Sequence, residues 1–322
     1  QRRRLGHAPE RDQRHGSGAA QRPVQNHFCG PISANGRTTG LLIGMGLSTF
    51  LHQRLPRVWT RRGPVAWALR PIAAIYGLLV GLRRWGYAAG VFKTRHAPAL
   101  VVVVGNVVAG GGGKTPLTMA IVQRLTQQGH QVGVVSRGYG RSKDQVQLVS
   151  AQSTADQVGD EPLLIFQKCQ VPVAVGANRV NAAQQLMRHH PNIRFIVCDD
   201  GLQHAALQRD IEICVMDSMG VGNGHMLPAG PLRESWPRTV DLLLHTQHRT
   251  LTEGFESTRQ LSANAINGLG QSIELTALQN QFVEVVCGIA KPQAFAQMLT
   301  ERGIQIAQFH ALPDHSNFSN WQ

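Results

Sequence analysis

Short apolar runs rich in β-branched residues recur along the chain from residue 100 onwards, with polar or glycine-containing segments between them. Seven of these runs have the length and composition of strands: Leu100 to Val104, Val132 to Val135, Val173 to Val175, Phe195 to Cys198, Ile211 to Met216, Leu242 to His245 and Val283 to Cys287. Helical periodicity is clearest between them in three segments: Thr115 to Gln128, Ala177 to His189 and Pro292 to Arg302. This alternation predicts an α/β fold, with a mostly parallel sheet and helices on both faces.

A longer apolar segment precedes the first strand. Residues 65–82 are apolar except for Arg70, and paired arginines flank them on both sides. The uninterrupted part, Pro71 to Leu82, would be about 18 Å long as a helix at roughly 1.5 Å per residue, whereas a bilayer core is about 30 Å thick. We therefore predict an N-terminal amphipathic or apolar helix that lies in a membrane surface or inserts partly. The alternative is a helix packed on the domain.

Charge is distributed unevenly along the chain. The formal net charge is +13, and residues 1–95 hold 16 Lys or Arg against 2 Asp or Glu, whereas the remaining 227 residues hold 16 against 17. A basic arm on a neutral body indicates contact with an anionic surface. Nucleic acid and anionic lipid are both possible on charge alone. The apolar residues of the arm favour lipid, and we expect no nucleic-acid partner.

A glycine-rich loop follows the first predicted strand and leads directly into a predicted helix. Glycines allow backbone N–H groups to face phosphate oxygens, Lys114 can reach the β and γ phosphates of a nucleotide, and the hydroxyl of Thr115 can ligate Mg²⁺. The alternative is a glycine-rich turn with an incidental lysine. The predicted ATP-binding residues are Val108, Ala109, Gly110, Gly111, Gly112, Gly113, Lys114 and Thr115. This setting predicts a P-loop NTPase-like domain.

One position of this loop departs from the strict pattern GxxxxGK[ST]. The pattern requires glycine at position 108, where the chain has Val108. A β-branched residue does not readily adopt a positive φ. Backbone donors at the other loop positions are unaffected by the change.

Two acidic motifs could complete a phosphotransfer site. Asp199 and Asp200 directly follow a predicted strand, where an acid can hold Mg²⁺ beside the P-loop. Because adjacent side chains alternate in direction along a strand, we expect one of the two to face the metal. Asp160 and Glu161 precede a helix-like run. A plain Asp-Gly turn and helix capping by Asp160 are the respective alternatives.

Two basic loops could bind an anionic ligand. The long Pro/Gly loop at residues 222–234 ends in Arg233 and Glu234, and a guanidinium there could clamp a phosphate. A shorter loop after the second predicted strand contains Arg137 and Tyr139. Solvated surface loops are the alternative in both cases.

Taken together, these blocks resemble the tetraacyldisaccharide 4′-kinase family of lipid A biosynthesis. The matching blocks are GNVVAGGGGKTP (105–116), SRGYGR (136–141), GDEP (159–162), DDGLQH (199–204), GNGHMLPAGPLRE (222–234) and PDHSNF (313–318). Each block is weak alone, but the set in this order is specific. The resemblance implies transfer of the γ-phosphate of ATP to the 4′-hydroxyl of a tetraacyldisaccharide 1-phosphate, with ATP and Mg²⁺ required.

The resemblance also implies roles for individual residues. Asp160 would be the base of a catalytic dyad, oriented by His315, while Lys114 neutralises phosphate charge. Thr115 with Asp199 or Asp200 would hold the metal. Other residues would bind substrate or order the site: Arg137, Tyr139, Glu161, Arg179, Gln203, His204, Arg233 and Glu234. Members of the family often carry hydroxyl side chains at two loop positions where this chain has Val108 and Gly112.

The same resemblance predicts a place in the cell and a division of the chain. We expect a peripheral or N-terminally anchored protein on the cytoplasmic face of the bacterial inner membrane. Residues 1–44, which precede the first Met, are expected to be disordered or non-native. Residues 45–95 would form the membrane-associating helical segment, and residues 96–322 the kinase domain, truncated at its C-terminus. A regulatory or chaperone-type GTPase is the alternative, but its [NT]KxD motif does not occur here.

Overall fold

The computed structural model describes residues 58–110, 113–141, 145–246, 253–267, 269–289 and 291–312. Helices and strands alternate along most of this length, as the apolar pattern predicts. The elements in chain order are α1 (Pro64–Ala68), α2 (Arg70–Ala88), β1 (Leu100–Gly105), α3 (Lys114–Gln127), β2 (Val132–Ser136), β3 (Gln147–Leu148), α4 (Ala155–Val158), α5 (Asp160–Cys169), β4 (Val173–Val175), α6 (Arg179–His189), β5 (Phe195–Asp199), β6 (Ile211–Met216), β7 (Leu242–His245), β8 (Phe255–Glu256), β9 (Asn264–Ile266), β10 (Ser272–Glu274), a 3₁₀ helix (Leu275–Leu278), β11 (Phe282–Cys287), α7 (Pro292–Glu301) and β12 (Gln305–Ala311).

The main sheet has eight strands in the order β3-β4-β2-β5-β1-β6-β7-β8. All neighbouring pairs are parallel except β3 and β4. Strand β1 is central and lies between β5 and β6, so that Val104 pairs with Asp199 on one side and with Ile213 on the other. Since the carboxyl ends of parallel strands meet at one edge, the loops after β1, β5 and β6 converge there.

Helices cover both faces of this sheet. Val101 and Val103 of β1 pack in one buried cluster with Leu186 of α6. Val104 instead joins a second cluster, which contains Val122 of α3 and buried residues of α5. Burial on both faces explains why the central strands are continuous apolar runs rather than alternating ones. The predicted fold class is confirmed.

The segment Val283 to Cys287 is a strand, as predicted, but it does not belong to the main sheet. It forms part of β11, which pairs in parallel with β12 in a separate two-stranded sheet. A small apolar cluster joins Leu299 of helix α7 to Val285 of β11 and to Ile304. An apolar run predicts a strand but does not specify its partner, and β12 was missed because most of its residues are polar or small.

The apolar segment before β1 is helical, as predicted, and one face of it docks on the α/β domain. Helix α2 is longer than the run Pro71 to Leu82, and the phenolic O–H of Tyr76 donates to the carbonyl oxygen of Arg233 at 3.0 Å. The indole N–H of Trp59 donates to the carbonyl of Pro228 at 3.1 Å. Of the described helices, none is both long and apolar enough to cross a membrane. The predictions for residues 1–44 lie outside the described residues.

Candidate active site

The phosphate loop joins β1 to α3 at the carboxyl edge of the sheet. Gly110 and Gly113 have φ values of 108° and 90°, a region that favours glycine. The ammonium group of Lys114 is buried and lies 3.3 Å from the carbonyl oxygen of Gly110, 3.4 Å from Oδ1 of Asn106 and 3.6 Å from Oδ1 of Asp200. The loop therefore curves around the lysine amine. Gly111 and Gly112 lie outside the described residues.

Val108 contributes to the hydrophobic core and is not a defect of the loop. Its side chain is 2% exposed and packs in the cluster that contains Leu232. Its backbone forms an antiparallel bridge with Leu232, and the N–H of Ala109 donates to the carbonyl of Pro231 at 2.8 Å. Its φ is not positive. The first half of the loop is thus extended and braced by residues 231–232, which is a conformation that valine adopts readily.

Asp199 lies at the end of β5 and faces the first turns of α3. Its carboxylate accepts hydrogen bonds from Oγ1 of Thr118 at 3.0 Å and Oγ1 of Thr115 at 3.4 Å. Burial, reinforced by the nearby charge of Glu161, raises the pKa of Asp199 to about 7. Nearby positive charge from a metal and ionisation of this group would favour one another.

Asp200 faces the same loop, although adjacent strand residues should point in opposite directions. Its φ is 50°, so the backbone leaves the strand conformation immediately after Asp199. Nη1 of Arg233 lies 3.1 Å from each carboxylate oxygen of Asp200. Burial alone would raise the pKa of Asp200, but Lys114 and Arg233 hold it below its ordinary value. Both carboxylates, rather than one, therefore contact elements of the loop.

The oxygen atoms at this edge suit Mg²⁺. Thr115 and Asp199 supply hard oxygen donors, which Mg²⁺ prefers, and nucleotide-bound Mg²⁺ takes only one or two protein ligands with phosphates and water. Within the residues that the structure describes, no cluster of three or more His, Cys, Asp or Glu could hold a metal on its own. The site therefore fits a metal that is bound together with nucleotide.

Arg179 contacts the backbone next to the acidic pair. Its side chain is buried at the start of α6, where Nη1 donates to the carbonyl of Gly176 at 2.8 Å and Nη2 lies 3.5 Å from that of Asp200. Its Nε has no hydrogen-bond partner among the described residues. Arg179 thus orders the turn that carries Asp200.

His204 lies beside a cleft of about 320 Å³ that Arg83 and Arg179 also line. Burial and the positive charges of Arg179, Arg83 and Arg137 lower the pKa of His204 to about 4. The imidazole is therefore neutral near pH 7 in a strongly cationic environment. An anionic ligand would relieve this concentration of positive charge.

The two predicted loops that contain Asp160 and Tyr139 contact each other. Asp160 is the first residue of α5, and a Cβ at Gly159 would lie 3.0 Å from Cα of Gly138. Asp160, Arg137 and Tyr139 are exposed on the protein surface. His315, the predicted partner of Asp160, lies outside the described residues.

The comparisons with known proteins identify the family. A family model described as Tetraacyldisaccharide-1-P 4'-kinase matches residues 65–322. The chain belongs to this kinase family. It is 46% identical over 274 residues to the tetraacyldisaccharide 4'-kinase of Acidovorax sp. (strain JS42), covering 84% of this chain and 81% of that one. It is 50% identical over 266 residues to that of Polaromonas sp. (strain JS666 / ATCC BAA-500), covering 81% and 79%.

A solved structure of the same kinase family has the same fold. The crystal structure of the "apo" form of LpxK from Aquifex aeolicus in complex with ATP superposes with a TM-score of 0.70 at 25% sequence identity. The match covers 80% of this chain and 85% of that one. The chain is therefore an ATP-dependent kinase with a P-loop fold.

Two predicted residues of the kinase site, Gln203 and Glu234, are held in place by residues that the sequence did not indicate. Gln203 donates to Glu234 at 2.6 Å and to the carbonyl of Asn106 at 3.0 Å. Glu234 in turn accepts from Arg238 at 2.9 Å, and Arg238 also pairs with Glu212. Asn106 could have been found as the polar residue that directly follows a buried strand. Arg238 and Glu212 have no sequence signal, because their role arises only from the pairing of distant segments.

Proposed function

We propose that this kinase acts on its lipid substrate at a membrane surface, through the side chains that converge on the phosphate loop. The reaction of the family transfers the γ-phosphate of ATP to the 4′-hydroxyl of a tetraacyldisaccharide 1-phosphate and forms lipid IVA, a step of lipid A biosynthesis. The observation that carries the proposal is the contact of Lys114, Thr115, Asp199 and Asp200 at one sheet edge.

Lys114 and its neighbours bind the triphosphate. The amine of Lys114 contacts backbone carbonyl and carboxylate oxygens, which phosphate oxygens of ATP would replace or join. Thr115 and Asp199 would hold Mg²⁺, which supplies charge neutralisation for phosphoryl transfer. Arg233 pairs with Asp200, and we propose that it contacts the transferred group and orders the aspartate. These contacts mainly supply positioning and electrostatic stabilisation.

Asp160 accepts the proton of the attacking hydroxyl. It begins α5 beside Glu161, which is near enough to Asp199 to affect the pKa of that carboxyl. An exposed carboxylate next to the metal-binding edge can be reached by a sugar hydroxyl. General-base catalysis of this kind contributes about 10²- to 10⁴-fold to the rate. His315 is proposed to orient Asp160.

The acceptor binds where a cationic cleft meets an apolar groove. Arg83 lines both: the cleft beside His204 and Arg179, and a groove of about 430 Å³ with Leu82 and Phe92. An acylated sugar phosphate has the matching chemistry, since its phosphate suits the arginines and its acyl chains suit the groove. Arg137, Tyr139 and Gln203 complete or order the sugar-binding surface.

Helix α2 holds the protein on the cytoplasmic face of the inner membrane. Ile75, Leu79 and Leu82 form an apolar stripe along one side of the helix, and they are 62%, 60% and 53% exposed. Trp85, 64% exposed, continues the same side. Basic residues flank the stripe, as in helices that lie in a lipid interface. We propose peripheral attachment to anionic lipid, with no role for nucleic acid.

Transfer of radiolabel tests the function directly. The protein is incubated with γ-labelled ATP and tetraacyldisaccharide 1-phosphate in mixed micelles, and label is measured in the extracted lipid. We expect labelled lipid from the wild-type chain and a loss of at least about 100-fold for Lys114→Ala. Arg188→Ala, at an exposed position near the end of α6, is the control. Hydrolysis of ATP without label in lipid would favour a switch-type ATPase instead.

A further inference from the structure

Arg259 lies directly over the phosphate loop, although it is distant from the loop in sequence. A Cβ built on Gly113 would lie 2.6 Å from Nη2 and 3.0 Å from both Cζ and Nε of Arg259. The guanidinium group therefore packs flat against Cα of Gly113. We propose that Arg259 is a nucleotide-binding residue that contacts ATP from its adenosine side, with its guanidinium against the α-phosphate.

The order of strands assigns a direction to the bound nucleotide. Asp199 ends β5 and Asp200 follows it, and β5 lies on one side of β1. The metal and the γ-phosphate must be on that side, because the carboxylates that hold the metal are there. The α-phosphate and adenosine then extend over the opposite side, towards β6 and β7. Arg259 follows β8, which pairs with β7, and so approaches the loop from the adenosine side.

Contacts with β7 fix the segment that carries Arg259. The N–H of Ser257 donates to the carbonyl oxygen of His245 at 2.7 Å, only two residues before Arg259. Nη2 of Arg259 lies 3.5 Å from Oγ1 of Thr246, and the N–H of Thr246 donates to the carbonyl of Met216 at 2.9 Å. Arg259 is exposed, but the backbone bond of nearby Ser257 and the contact of its own Nη2 with Thr246 hold the side chain near the loop.

Three other cations near the phosphate loop are already engaged. Lys114 and Arg233 contact the carboxylate of Asp200, and Arg179 donates to backbone carbonyls. Arg259, in contrast, forms no ion pair with any described residue. A planar guanidinium with several donors suits a phosphate that it can approach edge-on.

Nucleotide affinity measured without lipid tests the inference separately from the kinase reaction on which it rests. Titration calorimetry gives the Kd values of ATP and ADP for wild type, Arg259→Ala, Arg259→Lys and the control Arg188→Ala. Because ATP and ADP share the α-phosphate, we expect Arg259→Ala to raise the Kd values of both nucleotides by about tenfold. The lysine variant should be intermediate, and kcat at saturating ATP should change less than twofold.

Three results would count against the inference. Unchanged Kd values for both nucleotides in Arg259→Ala would overturn it while leaving the proposed function intact. A loss of affinity for ATP alone would overturn the adenosine-side assignment, since it would put the guanidinium at the γ-phosphate. A wild-type chain that binds neither nucleotide would contradict the proposed function as well. Should the alanine variant fold poorly, Arg259→Gln, which retains a long polar side chain, gives the same comparison.

Discussion

The phosphate-loop edge and the outer side of α2 distribute charge and apolar surface in opposite ways. At the loop, Lys114 and Asp199 are 7% and 1% exposed, although charged groups are seldom buried. On α2, large apolar side chains such as Leu79 are more than half exposed. Burial of charge and exposure of large apolar side chains both raise the free energy of a protein in water. The buried charges suit a highly charged ligand such as ATP, and the exposed apolar side chains are those that we propose contact lipid.

The largest effect is expected at the charged edge. Asp160→Asn removes the proposed proton acceptor but preserves shape, so turnover should fall by about 10³-fold while the Kd of ATP stays unchanged. Labelled-lipid formation and calorimetry measure the two quantities. Asp156→Asn, an exposed aspartate on the preceding helix, is the matched control. Near-normal turnover of Asp160→Asn would refute the assigned role.

A smaller effect is expected at the apolar region. Ile72→Glu combined with Ile75→Glu, at exposed positions of α2 outside the proposed acyl groove, should lower binding to anionic vesicles by about 100-fold, since each buried aliphatic side chain contributes about 1.5 kcal/mol or more. Turnover with a short-chain soluble acceptor should change little. Vesicle sedimentation measures lipid binding, and transfer of radiolabel to the acceptor measures turnover. Leu269→Glu, at an exposed leucine between β9 and β10, should leave vesicle binding unchanged. Equal sedimentation of the double variant and wild type would exclude α2 as the lipid contact.

The smallest effect concerns pH at the border of the two regions. His204 has a folded pKa of about 4, below its ordinary value of 6.5. A depressed pKa gives stability that is present above pH 6.5 and is lost as the pH falls towards 4. In His204→Gln, the free energy of unfolding should therefore decrease less between pH 6.5 and pH 4 than in wild type. Urea titration at a series of pH values measures this difference. NMR titration should find His204 neutral at pH 5.5, and protonation near pH 6.5 would contradict the prediction.

The two regions also differ in how much the sequence predicted. Strands such as β6 were predicted to the residue, because buried parallel strands are continuous apolar runs with clear ends. The phosphate loop and the acidic pair were found because each follows such a run. The turn of backbone at Asp200 was not predicted, since a φ of 50° depends on the surrounding contacts. Arg259 and Arg238 were also missed, as distant chain segments bring them to the site.

For α2, the apolar run and the flanking arginines predicted a helix, but not which side packs on the domain. That choice depends on Tyr76 and Gly77 fitting against the loop at residues 222–234, which only the folded chain brings near. Of the two interpretations of the segment, a lipid-facing helix or a packed helix, the structure shows packing for one side of α2. The exposed side is the one that we propose contacts lipid.

Arg233 belongs to both regions at once. Its carbonyl oxygen accepts a hydrogen bond from Tyr76 of α2, and its side chain holds Asp200 at the loop. A single residue thus links the helix that we propose meets lipid to the carboxylate beside the phosphate loop. With α2 in a lipid surface, as proposed, the height of the reacting atoms above the bilayer would be a fixed dimension of the protein and not the reach of a flexible tether. On the same proposal, a sugar would be phosphorylated at that height while its acyl chains remain in the bilayer.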